Sequence, residues 1–106
     1  MDKSLQVTHQ FEAPVQHVGG AIERFVSTSR AWQSSTVDRE AGTLVLMLRA
    51  GWIPWVDRVT IELGALRPGT TELRLHLERS LPLSRSSPRR RHIQALIDGV
   101  SELVSG

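Results

Sequence analysis

The sequence predicts an α+β fold, a two-layer sandwich in which two helices cover one face of an antiparallel sheet of four to five strands. Two patterns carry this prediction. Several short segments alternate apolar and polar residues, as strands with one solvent-facing side do. Two longer segments repeat apolar residues at helical spacing. Because both helices and the sheet need a partner for their apolar faces, we expect the element order β-α-β-β-β-β-α.

The first strand and the first helix follow directly from such spacings. The predicted strand alternates its apolar-register residues with glutamine and threonine; these residues are Leu5, Val7, His9 and Phe11. Pro14 suits the first turn of the helix that follows, because its missing N–H costs nothing there. The apolar stripe of that helix consists of Val15, Val18, Ile22, Phe25 and Val26. We expect the helix to end near Ser29.

Two adjacent glycines, Gly19 and Gly20, lie inside this predicted helix. Each should cost about 1 kcal/mol relative to alanine, so something must offset the loss. One explanation is a close approach of the helix to the sheet, or a local kink. The other is space left between helix and sheet for a ligand. The first explanation is preferred on sequence grounds.

The middle of the chain predicts three to four further strands. A short strand over 35–39 should turn at Ala41-Gly42 into the apolar run 44–48, which is typical of a central strand or one covered on both faces. Two half-buried strands follow, with apolar residues at 59, 61 and 63 and at 73, 75 and 77. Pro68 and Gly69 between them fit the second and third positions of a type II turn.

The last helix has clear boundary residues. Ser87 is the predicted N-cap and Pro88 the first helical residue. Its apolar face is formed by Ile93, Leu96, Ile97, Val100, Leu103 and Val104. The sequence thus predicts one domain over residues 1–106, a length typical of a single core.

Composition limits the classes of function. With 40% hydrophobic and 23% charged residues the chain can bury a core. The absence of cysteine excludes disulfides, thiolate nucleophiles and cysteine-bound metal centres. No apolar run reaches the roughly 18 residues of a membrane span, and the N-terminus lacks the apolar segment of a signal peptide. We therefore expect a cytoplasmic protein without a membrane span.

The basic isoelectric point does not indicate a nucleic-acid partner. The pI is about 10.4, yet the net charge is only +2. Lys3 is the only lysine among 13 cationic residues, and no cysteine or tyrosine titrates at mildly alkaline pH. The high pI therefore reflects missing titratable groups. The polar strand faces also carry no aromatic side chain on which bases could stack, which disfavours nucleic acid.

An arginine cluster at the start of the last helix is a candidate anion-binding site. Cations there oppose the helix macrodipole by up to about 1 kcal/mol each. A phosphate or carboxylate would gain backbone N–H groups, hydroxyls and guanidinium groups together. The candidate residues are Ser86, Ser87, Arg89, Arg90 and Arg91. The alternative is that these side chains extend into solvent or pair with acids such as Asp98.

The segment GWIPWVDRV, residues 51–59, holds two of the three tryptophans. Pro54 cannot donate to a sheet ladder, so the segment should break the chain between two strands. Trp52, Trp55 and Asp57 could form a lip that contacts a partner or ligand, with Asp57 capping the turn. The alternative is that at least one tryptophan closes the end of the core.

No motif names a reaction or a cofactor. The four histidines show no metal-ligand spacing, and no serine lies in a nucleophile elbow. His9 is expected in the core and His76 on the solvated sheet face. The acids of the strands are better explained by cross-strand ion pairs, such as Glu62 with Arg74, than by acid-base catalysis. The sequence therefore favours a binding module over an enzyme, with no cofactor.

Two resemblances add to this interpretation. The stretch AGWIPWVDRVTIEL, followed by TTELRLHLERSLPLSRSSPRRRHIQALI, resembles the bacterial family called domain of unknown function 1499. Arg58 and the SRSSP loop depart from that family's pattern. The opening VTHQFEAPVQHV is similar to the start of helix-grip domains of the START and Bet v 1 type, where an Ala-Pro begins the first helix. Neither resemblance implies catalytic residues.

Two functions remain open from the sequence. The first is an interaction or anion-binding module whose partner, an unknown protein or a small anionic ligand, contacts the arginine cluster or the tryptophan lip. The second, implied by the helix-grip resemblance, is a carrier with an apolar cavity beneath the glycine-containing helix. A cavity of a few hundred Å³ between helix and sheet would favour the carrier.

Overall fold

The computed structural model describes residues 4–49, 57–78 and 87–105. Its elements follow the predicted order and are β1 (Ser4–Phe11), α1 (Val15–Ser27), β2 (Trp32–Asp38), β3 (Thr43–Leu48), β4 (Asp57–Arg67), β5 (Thr70–Glu78) and α2 (Ser87–Ser105). The five strands form one antiparallel sheet in the order β1-β5-β4-β3-β2. The predicted α+β fold is confirmed.

Apolar rows run across the sheet on the face that the helices cover. Leu44 lies opposite Ile61, Ile61 opposite Leu75, and Leu75 opposite Val7, so one row crosses four strands. The three residues on β3, β4 and β5 are buried and Val7 is half-buried. Both helices add their apolar stripes to the same core, through Val18, Ala21, Ile22 and Val26 of α1 and Ile93, Leu96, Ile97 and Val100 of α2.

Several boundaries differ from the predictions. α1 ends at Ser27 rather than near Ser29, and the N–H of its cap residue Thr28 donates to the carbonyl oxygen of Phe25 at 3.2 Å. α2 begins at Ser87 itself, one residue earlier than predicted. β2 begins at Trp32 and ends at Asp38, whereas a strand over 35–39 was predicted. Its register with β3 shifts between Ser34 and Thr36. After Trp32 every residue of β2 is exposed, so burial leaves no periodic pattern along this strand.

The predicted central position of β3 is confirmed, since β4 and β2 flank it. The structure does not show β3 to be covered on both faces. Leu44, Leu46 and Leu48 are buried on one face, whereas Val45 and Met47 on the other face are half-buried. The β4-β5 turn fits the type II prediction, because Gly69 has φ of 84°.

A buried threonine fixes the corner between β1 and α1. The Oγ1 of Thr71, on β5, donates a hydrogen bond of 2.6 Å to the carbonyl oxygen of Ala13. Thr71 lies opposite Phe11 in the β1-β5 register, so the hydroxyl meets the chain just as it leaves the strand. Both Thr71 and Ala13 are buried. The hydrogen bond therefore satisfies a carbonyl that water does not reach.

Neither of the described helices is long and apolar enough to cross a membrane.

Candidate functional site

A groove of about 680 Å³ lies between α1 and one end of the sheet. Its apolar lining comes from Val15 of α1, Val37 of β2, Leu44 of β3 and Leu63 of β4. Gly19, Gly20 and Gly42 also line it, and polar residues complete its edge: Gln16, Glu23, Arg24, Ser27, Asp38 and Arg39. An apolar floor with a polar rim is the usual composition of a small-molecule site.

The helical wall of the groove follows from the spacing of its residues. From position 16 the lining residues recur at intervals of three or four, at 20, then at 23 and 24, then at 27, so they share one face of α1. The buried stripe of the helix, which includes Val18 and Ile22, points into the core instead. Gly20 therefore lies on this polar face, whereas Gly19 lies beside Leu63 of the apolar floor.

A close approach of helix and sheet, the first part of the preferred prediction, explains neither glycine. A Cβ on Gly19 would lie 3.7 Å from Leu63 Cδ1, an ordinary van der Waals distance. A Cβ on Gly20 would have no neighbour within 4 Å. The helix is continuous through both positions. Alanine would fit at either place, so contacts with neighbouring atoms do not account for the two glycines.

The opposite wall is the turn between β2 and β3. Asp38 Oδ1 accepts a hydrogen bond of 3.1 Å from the Ala41 N–H, which shapes the turn. The carbonyl oxygen of Gly42 accepts a 2.7 Å bond from the Leu63 N–H. Gly42 has φ of 68°, and a Cβ there would lie 2.6 Å from Leu63 O. This position therefore requires glycine, and the turn is held against the groove floor.

A salt bridge joins the two walls. Arg39 Nη2 donates to both carboxylate oxygens of Glu23, at 3.2 and 3.4 Å. Arg39 belongs to the β2-β3 turn and Glu23 to the middle of α1, and both line the groove. The side chains are 81% and 34% exposed, so water weakens this pair. It ties the walls together without contributing much to stability.

The sheet face away from the helices is polar. Glu62 and Arg74 lie directly opposite each other, as the predicted pairing requires, but Arg74 Nε donates to Glu72 at 3.0 Å. His76 is half-buried there, with Nδ1 3.3 Å from Gln6 Nε2. A recess of about 440 Å³ on this face is lined mainly by polar side chains. It lacks the apolar floor of the groove.

The predicted site residues are only partly within the described chain. Trp52, Trp55 and Ser86 lie outside it. Ser87 and Arg89 are in the first turn of α2, and the side chains of Arg90 and Arg91 are exposed. The anion site and the tryptophan lip stay predictions.

Asp57, the third member of the predicted lip, is the first residue of β4. It is 4% exposed and lies opposite Leu48, on the sheet face that the helices cover. The carboxyl group is therefore placed within the end of the core. Burying a carboxyl group costs free energy unless hydrogen bonds or a charged partner compensate it, so polar groups are needed around Asp57.

The surroundings of His9, on β1, can be described in detail. His9 is half-buried on the helix-facing register, where its ring centroid lies 4.7 Å from that of Phe11 at an interplanar angle of 59°. This tilted contact is a packing arrangement. Within residues 4–49, 57–78 and 87–105, no three His, Asp or Glu side chains are grouped to hold a metal ion.

Comparisons with known proteins identify the fold. Neither a known protein family nor a curated protein matches this sequence. The chain is similar to a START superfamily protein from Mycobacterium smegmatis, with 11% identity and a TM-score of 0.70 over 96% of this chain and 97% of that one. It is also similar to Ara h 8.0201, with 9% identity and a TM-score of 0.68 over 95% and 96% of the two chains.

A third similarity is to the di-domain ARO/CYC StfQ of the steffimycin biosynthetic pathway, with 13% identity and a TM-score of 0.75. It covers 94% of this chain and 44% of StfQ, so the chain spans less than half of that protein. The predicted resemblance to helix-grip domains is thus confirmed as a fold. The resemblance to domain of unknown function 1499 stays a prediction.

Proposed function

We propose that this domain binds a small, mainly apolar ligand in the groove between α1 and the β2-β3-β4 end of the sheet. The observation that carries the proposal is the groove itself, about 680 Å³ with Val15, Leu44 and Leu63 in its lining. Sites for small organic ligands span roughly 300–1,000 Å³. Domains of the helix-grip fold typically bind ligands, which supports the same function.

The adjacent glycines support a binding role over incidental poor packing. Together they cost the helix up to about 2 kcal/mol relative to alanines, by the propensity difference of each position. Neighbouring atoms exclude alanine at neither position. Binding a ligand in the space beside the helix is a function that would offset this loss. Packing against Leu63 would not offset it, because alanine would pack there as well.

The chemistry of the lining favours binding over catalysis. Ser27 has the one hydroxyl side chain among the described lining residues, and it donates to the Arg24 carbonyl oxygen at 2.8 Å. No histidine is among the lining residues that the structure describes, and the carboxylate of Glu23 in that lining is bonded to Arg39. The apolar surfaces can hold a ligand body, and the polar rim can orient it.

Titration with N-phenyl-1-naphthylamine, a neutral dye that fluoresces in apolar sites, tests this proposal. We expect saturable fluorescence with the natural chain. Gly19→Leu should lower the affinity by about tenfold or more, because a leucine side chain there covers the floor near Leu63 and replaces ligand contacts. Circular dichroism and thermal unfolding establish that each variant is folded.

Gly64→Leu is the matched control. Gly64 is exposed on β4, a Cβ there meets nothing within 4 Å, and the residue does not line the groove. The dye should bind this variant as it binds the natural chain. Absence of saturable binding to the folded natural chain, or equal affinities for the Gly19→Leu and Gly64→Leu variants, would refute the proposal.

A further inference from the structure

Among the residues that the structure describes, four with ionisable side chains line the groove: Glu23 and Arg24 on α1, Asp38 at the end of β2, and Arg39 in the turn that follows. Their formal charges cancel. Their contacts, however, differ, and the contacts determine which charge is available to a ligand.

Both carboxylates accept hydrogen bonds from other groups of the protein. Glu23 accepts two hydrogen bonds from Arg39 across the groove, at 3.2 and 3.4 Å. Asp38 accepts the N–H of Ala41 at 3.1 Å and so maintains the β2-β3 turn. Arg39 is likewise committed, to Glu23. Three of the four charges therefore have structural roles at the groove.

Arg24 differs from the other three ionisable residues in its contacts. Within the described part of the chain its guanidinium group has no ion pair or hydrogen bond, and its side chain is exposed on the groove wall beside Ser27. A guanidinium group recognises carboxylates and phosphates through parallel hydrogen bonds. An uncommitted cation at the rim of an apolar floor fits a ligand with an apolar body and an anionic end.

We propose that the groove selects apolar ligands bearing a single carboxylate, which Arg24 binds at the rim while the body lies on Val15, Leu44 and Leu63. This inference rests on the proposed function. A singly charged group matches Arg24, the one uncommitted cation among the described residues that line the groove. A doubly charged phosphate monoester would leave excess negative charge near Glu23 and Asp38, which repel it.

Arg24 has a second role that the test must separate from the first. It lies in the last turn of α1, where a cation interacts favourably with the helix dipole. That role alone predicts lower stability when the charge is removed and no change in ligand preference. The preference between a carboxylate and its neutral analogue therefore distinguishes the two roles.

The experiment compares 2-naphthoate with 2-naphthamide, which has the same ring and no charge. Calorimetry should show tighter binding of 2-naphthoate to the natural chain. Arg24→Gln should weaken 2-naphthoate binding by about twofold to fivefold, the range of an exposed ion pair, and leave 2-naphthamide unchanged. Arg30→Gln removes the same charge from an exposed residue outside the groove lining and should preserve the preference.

The outcomes separate the two proposals. If both compounds bind and Arg24→Gln leaves their affinity ratio unchanged, the carboxylate inference is overturned and the proposed function stands. If neither compound nor the neutral dye binds the folded chain, the proposed function fails. Tighter binding of 2-naphthyl phosphate than of 2-naphthoate would overturn the assignment of a singly charged group.

Discussion

The ring of Phe25 on α1 occupies the space that a side chain at Gly99 on α2 would need. A Cβ on Gly99 would lie 2.3 Å from Phe25 Cε1 and 2.4 Å from Cδ1. Phe25 is half-buried and packs against the core. The glycine thus allows the two helices to approach, and it contrasts with Gly19 and Gly20, where alanine would fit.

Gly99→Ala should therefore lower the free energy of unfolding by about 1–3 kcal/mol, the usual cost of overpacking, even though alanine favours helix. Urea denaturation measures this change. In a Phe25→Leu background the same substitution should cost less, because the leucine is smaller and can withdraw. A Gly99→Ala variant as stable as the natural chain would contradict the packing described.

Gly20→Ala should change the free energy of unfolding in the opposite direction. Since a Cβ there meets nothing within 4 Å, the substitution removes the flexibility of glycine without a clash. We expect the free energy of unfolding to rise by about 0.5–1 kcal/mol. A loss of stability in the same measurement would mean that the glycine is needed for packing after all.

Thr71→Val should destabilise the domain by about 1–3 kcal/mol, although the two side chains have nearly the same shape. The substitution leaves the buried Ala13 carbonyl oxygen without the hydroxyl that donates to it at 2.6 Å. Thr8→Val is the control, because Thr8 is exposed on β1 and should tolerate the change within about 0.5 kcal/mol. Similar costs at the two positions would contradict this role of Thr71.

The Glu23-Arg39 salt bridge should contribute little to stability. A double-mutant cycle with Glu23→Gln and Arg39→Gln is expected to give a coupling energy below about 1 kcal/mol at low salt. Because both side chains are in contact with water, the coupling should vanish near 1 M salt. A coupling that persists at high salt would show that the pair is shielded from solvent.

Much of the fold was predictable because burial on one side of a strand or helix leaves a periodic trace. Val59, Ile61 and Leu63 alternate along β4, and the buried residues of α2 recur at helical spacing. β2 was harder to delimit, since an edge strand with mostly exposed residues carries no such alternation. Trp32, its buried first residue, was therefore missed.

The groove could be predicted only in part. Gly19 and Gly20 were the residues that suggested it, since a glycine pair inside a helix needs an explanation. Its other walls depend on sheet register and on the turn held by Gly42, which bring Leu63 and Arg39 beside α1. Contacts between residues so distant in sequence leave no local pattern. The uncommitted state of Arg24 likewise appears only when the neighbouring charges are placed.

The most direct test of the groove is to map backbone amide chemical shifts by NMR during titration with N-phenyl-1-naphthylamine. A ligand in the groove should shift the amides of Gly19, Gly20, Gly42 and Leu63, which line it, and leave those of Thr8, Thr60 and His76 on the open sheet face unchanged. Chemical-shift changes confined to the sheet face away from the helices, or no changes at saturating dye, would contradict the assignment of this groove as the binding site.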